Sequence, residues 1–238
     1  MVVLHVNGST GRDSHAGTAN APFKTISHAL RQAQAGTTVQ VQAGNYDQGE
    51  SFPLVVPTGV TVAGQNGAVV VTGGGPLTTQ EFGQQMVTVA LGDRAQLRHL
   101  TIKNRADQGT GVWIETGAPV LVGNRFVNCR RDGVFVSGNA LPVILDNEFY
   151  ENAASGLFMV RQAKGEVRQN SFRQTGYGIA ISDQAAPLLL DNDISENRAG
   201  LVLSRSARPV LRQNRFLRNQ STGLWVQDQA APDLGHPH

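Results

Sequence analysis

Charge is scarce in this sequence. Only 16% of its 238 residues are Asp, Glu, Lys or Arg, against about 25% in an average soluble domain. A helical bundle or coiled coil needs far more Glu, Lys and Ala at helical spacing, and is excluded. Disorder is excluded by 40% hydrophobic residues and a net charge of +2. No apolar run approaches the roughly 18 residues that cross a membrane. The single cysteine, Cys129, allows no internal disulfide and no cysteine-based zinc site, and is expected to be a small repeat-filling residue. No histidine lies between His99 and His236, which leaves the middle of the chain without a general-base imidazole or a metal-binding His column. His236 and His238 read as a solvated tail. Arg and Asp/Glu are interleaved rather than segregated, so neither nucleic acid nor membrane is an expected partner. Met1 is followed directly by Val-Val-Leu-His-Val, not by a basic stretch and a long apolar segment, so this chain carries no recognisable signal peptide.

What the sequence has instead is Gly (27), Pro (10), Asn (15) and Gln (19), and they are periodic. Gly opens a short apolar alternation at Gly111, Gly133, Gly156, Gly178, Gly200 and Gly223. A second column runs Pro119, Pro142, Gly165, Pro187, Pro209 and Pro232. A third is Asn124, Asn147, Asn170, Asn192 and Asn214, and a fourth Ile102, Phe126, Phe149, Phe172, Ile194 and Phe216. A fifth reads Asn104, Asn128, Asn152, Thr175, Asn197 and Asn219. Five columns in one phase, spaced by about 22 or 23 residues, mark a repeat architecture.

Each unit holds two or three strands of three to five residues with period-2 alternation, and no helical pattern. Such a unit is one coil of a parallel β-helix, stacked on the next at the inter-strand spacing of about 4.8 Å. The Phe column should then stack up the interior. The Asn columns should sit at bends, where Asn tolerates left-handed backbone and can bond the amide of the next coil. Gly should serve the tight turns. The pattern Pro-x-hydrophobic-x-x-Asn-x-Phe, then Asn, then Gly-hydrophobic-x-hydrophobic, resembles the right-handed parallel β-helices of the pectate-lyase-like superfamily over about residues 37 to 235. The resemblance implies an all-β, single-stranded right-handed solenoid, a polysaccharide as partner, and export to the periplasm or the cell exterior.

The first 36 residues read as a cap. Val2–Val6 is a strand, followed by a polar loop, and Pro22 to Gly36 forms an amphipathic helix with Phe23, Ile26, Leu30 and Ala33 on its apolar face. Pro22 suits its first turn and Gly36 its stop. The run Pro22-Phe-Lys-Thr-Ile26, then Ala29-Leu30 and Gly44-Asn-Tyr46, is similar to the N-terminal cap of a branch of that superfamily with no assigned biochemical role. The expected organisation is 1–36 as strand, loop and capping helix, and 37–238 as one continuous β-helix. Strand candidates in its irregular early part are 38–41, 54–56, 60–62, 69–71, 86–89 and 97–102. Residues 73–85 break the phase and read as an inserted loop. The last full column is followed by no capping element, which suggests either further chain or self-association through the open end or the apolar outer faces.

Sites on such a solenoid must be read across coils. The outward position two residues after each Gly carries Trp113, Phe135, Phe158, Ala180, Val202 and Trp225. These aromatics are either a sugar-stacking platform or a surface covered by loop 73–85 or a neighbouring chain. Three residues further on, Arg161, Asp183, Arg205 and Asp228 alternate in sign: a stacked ion-pair ladder, or a polar track for a hydroxyl-rich or acidic polymer. Lys164, Glu166 and Arg168 put charge into the one coil that lacks its Pro. They are candidates for acid–base work on a uronic acid, or a plain ion pair. Against catalysis, the column Gly123, Asp146, Gln169, Asp191, Gln213 places carboxylates only on alternate coils, too far apart for one calcium. No Asp-Asp and no Gly-His-Gly string occurs. Three functions remain: a non-catalytic module binding polysaccharide, with no cofactor or metal; a structural or assembly solenoid; and a polysaccharide lyase or epimerase.

Overall fold

The computed structural model describes residues 2–235. It is a right-handed parallel β-solenoid of about 8 turns with a single helix. Its strands form two sheets. Nine strands make one: the six that begin beside the repeat glycines, together with Leu54–Val56, Gly75–Thr79 and Gly83–Leu91. Fifteen make the other, in two limbs that share the long strand Thr61–Thr72. The strands after Pro form one limb and the Phe strands form the other, so the cross-section has three sides. Pairing between coils is parallel with each repeat in register: Val120 lies beside Val143, Phe126 beside Phe149, and Phe135 beside Phe158.

The interior is one continuous apolar cluster from Val6 to Leu211. Its spine is the Phe column, with Phe126 and Phe149 stacked at 4.9 Å and Phe149 and Phe172 at 4.4 Å. The glycine column has a different cause from the one the sequence suggested. These residues do not adopt positive φ. They face inward, and a Cβ on Gly111, Gly133, Gly156 or Gly178 would lie 2.5–2.7 Å from the carbonyl oxygen of the next glycine in the stack. Close approach of coils, not a tight turn, demands glycine here.

The Asn columns are hydrogen-bonded ladders. Asn124 donates to Asn147, Asn147 to Asn170, Asn170 to Asn192 and Asn192 to Asn214, at 2.8–3.0 Å. Each amide also satisfies a buried carbonyl of the coil below, as Asn170 does Ile144 at 2.9 Å. The left-handed residue is not the Asn but the one before it: Gly123, Asp146, Gln169, Asp191 and Gln213 all have φ between 54° and 64°. The same rule corrects the second ladder. Asn128 (φ 57°) is the left-handed residue, and Cys129 takes the ladder slot, its amide donating to Asn152 at 3.1 Å. Burial pushes the Cys129 thiol up to about 12, so it is inert filler.

The cap is tighter than its sequence suggests. The strand Val3–Val6 pairs with Thr38–Val41, and the helix is only Ile26–Gln32. Pro22 and Phe23 lie outside the helix, and Phe23 bridges to Val6. Thr25 is the N-cap and accepts from His28. Two orphan helix donors, the amides of Ile26 and Ser27, bond the Glu50 carboxylate at 2.7 and 2.8 Å. Phe23, Ile26 and Leu30 are buried, and Ala33 packs against the core at its edge. His236 and His238 lie outside the described residues.

Candidate functional site

Residues 73–85 are not an irregular loop. Gly75–Thr79 and Gly83–Leu91 form an antiparallel hairpin, whose second strand runs on into the regular stack. The Thr79 hydroxyl accepts from the Phe82 amide and donates to the Gly83 carbonyl, and Gly83 has φ 65°. This turn drives Phe82 down onto the outer face of the nine-stranded sheet. Its ring meets Trp113 and Phe135 edge-on at 5.7 and 5.2 Å, the preferred aromatic geometry. Trp113 and Phe135 stack on one another at 4.0 Å.

The sugar-platform reading of Trp113 and Phe135 is therefore corrected. They are 2% and 1% exposed and form a second apolar core with Val87 and Val160, flanked by Leu77 and Phe82. The indole of Trp113 donates to Glu115 at 3.0 Å. Phe158 is only half-buried, at the rim of this cluster. Trp225, in the same column three coils on, is 47% exposed.

Between Phe158 and Trp225 the column carries Ala180 and Val202. Three residues further along each coil, a cavity of about 490 Å³ opens over the charged column, lined by Glu81, Arg161, Gln162, Asp183, Gln184 and Arg205. A second, of about 220 Å³, adjoins it under Phe82 and is lined by Arg131, Phe158 and Ser182 together with Arg161, Asp183 and Arg205. The two make one groove.

The alternating column forms its ladder. Asp183 meets Arg205 at 2.7 Å and Arg161 at 3.6 Å, and also accepts from the Arg161 amide at 3.0 Å. Asp228 accepts from the Arg205 amide at 2.8 Å. The far end of Arg161 meets Glu81 of the hairpin at 2.8 Å and lies over the Phe82 ring. Arg131 spans from Gln85 of the hairpin, at 2.6 Å, over the Phe135 ring to Asp132, 3.2 Å away. Asp132 is 1% exposed. Its burial pushes the carboxyl up to about 6, against the Arg131 charge and hydrogen bonds with Ser155, which lower it.

Of the sequence candidates, Phe158, Arg161 and Asp183 thus come together, and Trp225 marks the far end of the same face. Lys164, Glu166 and Arg168 do not join them. Glu166 and Arg168 belong to a strand of the other sheet, with Lys164 just before it, and sit 3.7 Å apart, about half exposed. Sequence reasoning missed Glu81, Phe82, Arg131 and Asp132, because none belongs to the outward columns it compared. The broken phase at 73–85 was the one signal toward the first two. Among the described residues no three His, Cys, Asp or Glu side chains converge as a metal site would require, and no helix is long and apolar enough to cross a membrane.

A family profile described as a protein of unknown function, DUF1565, matches residues 9–237. The chain belongs to that family. No curated protein is similar enough in sequence to count as a relative of this DUF1565 member. Among solved structures it is similar to XylC in complex with xylose, at 11% identity and a TM-score of 0.71, over 97% of this chain and 68% of that one. It is also similar to the pectin methylesterase from Aspergillus niger, at 11% identity and a TM-score of 0.60, over 99% and 90%. For pectate lyase Pel9A the values are 13%, 0.58, 98% and 77%. At these identities the likeness is one of fold.

Proposed function

We propose that this DUF1565 protein is a non-catalytic β-helix module that binds polysaccharide in the groove between the hairpin and the charged column. The observation that carries the reading is the groove itself: an apolar part of Phe82, Phe135, Phe158 and Val160 under the hairpin, continuous with a wall of guanidinium, carboxylate, amide and hydroxyl groups. Sugars combine apolar ring faces with dense hydroxyls, and such a mixed surface suits them. The structural neighbours named for xylose and pectin support the same class of ligand, by analogy of fold only. A protein with this role belongs where polysaccharide is, in the periplasm or outside the cell.

Affinity electrophoresis through gels cast with xylan, glucomannan or polygalacturonate tests it. Retardation is expected in at least one gel and is expected to vanish in Arg161→Ala and Asp183→Ala. No retardation in any gel defeats the reading.

A second reading, self-association, is favoured by Trp225, Val226 and Leu234 at 47%, 43% and 60% exposure on and beside the last described coil. Light scattering decides it: a monomer at high concentration ends it.

A further inference from the structure

We infer that the groove takes a neutral, linear glycan laid along the solenoid axis, in preference to a uronate polymer. This rests on the groove being a glycan site, and adds the ligand's charge, shape and direction.

Charge comes first. Three guanidinium groups reach the groove, those of Arg131, Arg161 and Arg205. Three carboxylates already answer them: Asp132 at 3.2 Å, Glu81 at 2.8 Å and Asp183 at 2.7 Å, in that order. The site has no uncompensated positive charge to offer. A uronate carboxylate could bind an arginine only by displacing one of these partners, which would leave that carboxylate unpaired beside the incoming one. A hydroxyl behaves differently. It donates and accepts at once, so it can bridge an arginine N–H and a carboxylate oxygen that stay where they are.

Shape and direction follow from the repeat. Beside the charged ladder run Gln162, Gln184 and Ser206, one per coil, all lining the larger cavity. Ser182 and Ser204 form a parallel hydroxyl column, bonded to each other at 2.9 Å. Polar groups therefore recur every coil, about 4.8 Å along the axis, close to the rise of one sugar in an extended chain. The larger cavity runs from Gly138 through Arg161 and Asp183 to Arg205, three coil steps or about 14 Å, room for about three sugars.

Calorimetric titration of the full chain with xylohexaose, mannohexaose, cellohexaose and hexagalacturonate tests the inference. At least one neutral hexasaccharide is expected to bind ten-fold or more tighter than hexagalacturonate, with little change on adding salt. Its affinity should climb with chain length and level off at about three sugars. Asp183→Asn removes a compensating carboxylate, and is expected to weaken the neutral ligand several-fold while strengthening hexagalacturonate. If the parent protein binds hexagalacturonate tighter than every neutral chain, the inference is overturned and the glycan-binding reading survives. If a monosaccharide binds as tightly as a hexasaccharide, the axial chain is overturned. If none of the four binds, both fall.

Discussion

Asn170 occupies the middle of a chain of buried side-chain amides, and its neighbours depend on it from both sides. It accepts from the backbone and side-chain nitrogens of Asn147, and it donates to Ile144 and Asn192. Asn170→Ala orphans groups on two coils at once. At about 1–3 kcal/mol for a buried group left unsatisfied, a loss of about 3 kcal/mol is expected in urea denaturation, against about 1 kcal/mol for Asn214→Ala nearer the ladder's end. Asp132 gives a residue-scale prediction in pH. Its carboxyl is raised from 3.8 to about 6 by burial, so the fold prefers the protonated form. The stability this contributes is full below the unfolded pKa and is lost as pH rises through about 6, an effect on the order of 3 kcal/mol. Asp132→Asn cannot lose it. The difference in Tm, variant minus parent, is therefore expected to grow between about pH 4 and about pH 7. A constant difference would refute the assignment.

At the scale of elements, the hairpin decides what the nine-stranded sheet presents to solvent. Without Phe82 the stacked Trp113 and Phe135 would be bare, and Arg161 would lose both its ring contact and the turn that carries Glu81. Phe82→Ala is expected to cost about 2 kcal/mol and to shift the emission of Trp113 to the red, measured in a Trp225→Phe background. It should also weaken glycan binding. The element scale is also where the sequence was least readable. Outward aromatics at Trp113 and Phe135 were legible as an anomaly, and a covering segment as one answer to it. The choice was not legible, because a turn of Thr79, Phe82 and Gly83 has no repeat partner to reveal its direction. The ladder register shows the reverse limit. Spacing alone put Asn128 in line with Asn152, since a one-residue slip hardly alters a period of 22 or 23. The hydrogen bond from the Cys129 amide to Asn152 shows that Cys129 holds the slot.

For the whole molecule, stability is a sum of coil-to-coil terms rather than the property of one centre. The first coil is closed by the helix Ile26–Gln32 and its Glu50 bonds. The strand Thr222–Val226 has a paired neighbour on one side only among the described residues, and its inward Val226 is 43% exposed. Hydrogen exchange is therefore expected to be fastest in Thr222–Val226 and to slow coil by coil toward Thr110–Ile114. Uniform protection would contradict additive stacking.

The sequence by itself determined the solenoid, its coil length, its phenylalanine spine, its asparagine ladders and its alternating charges. All of these are repeated once per coil, and a stack of identical hydrogen-bond registers converts each repetition into a straight column. Only the tertiary structure decided that glycine is required by contact between coils, and that two aromatics lie beneath the hairpin while a third edges an open groove. It also decided that Glu81 and Asp132 complete the charge balance there. Those features arise from single, unrepeated contacts between distant segments, and a period carries no record of them.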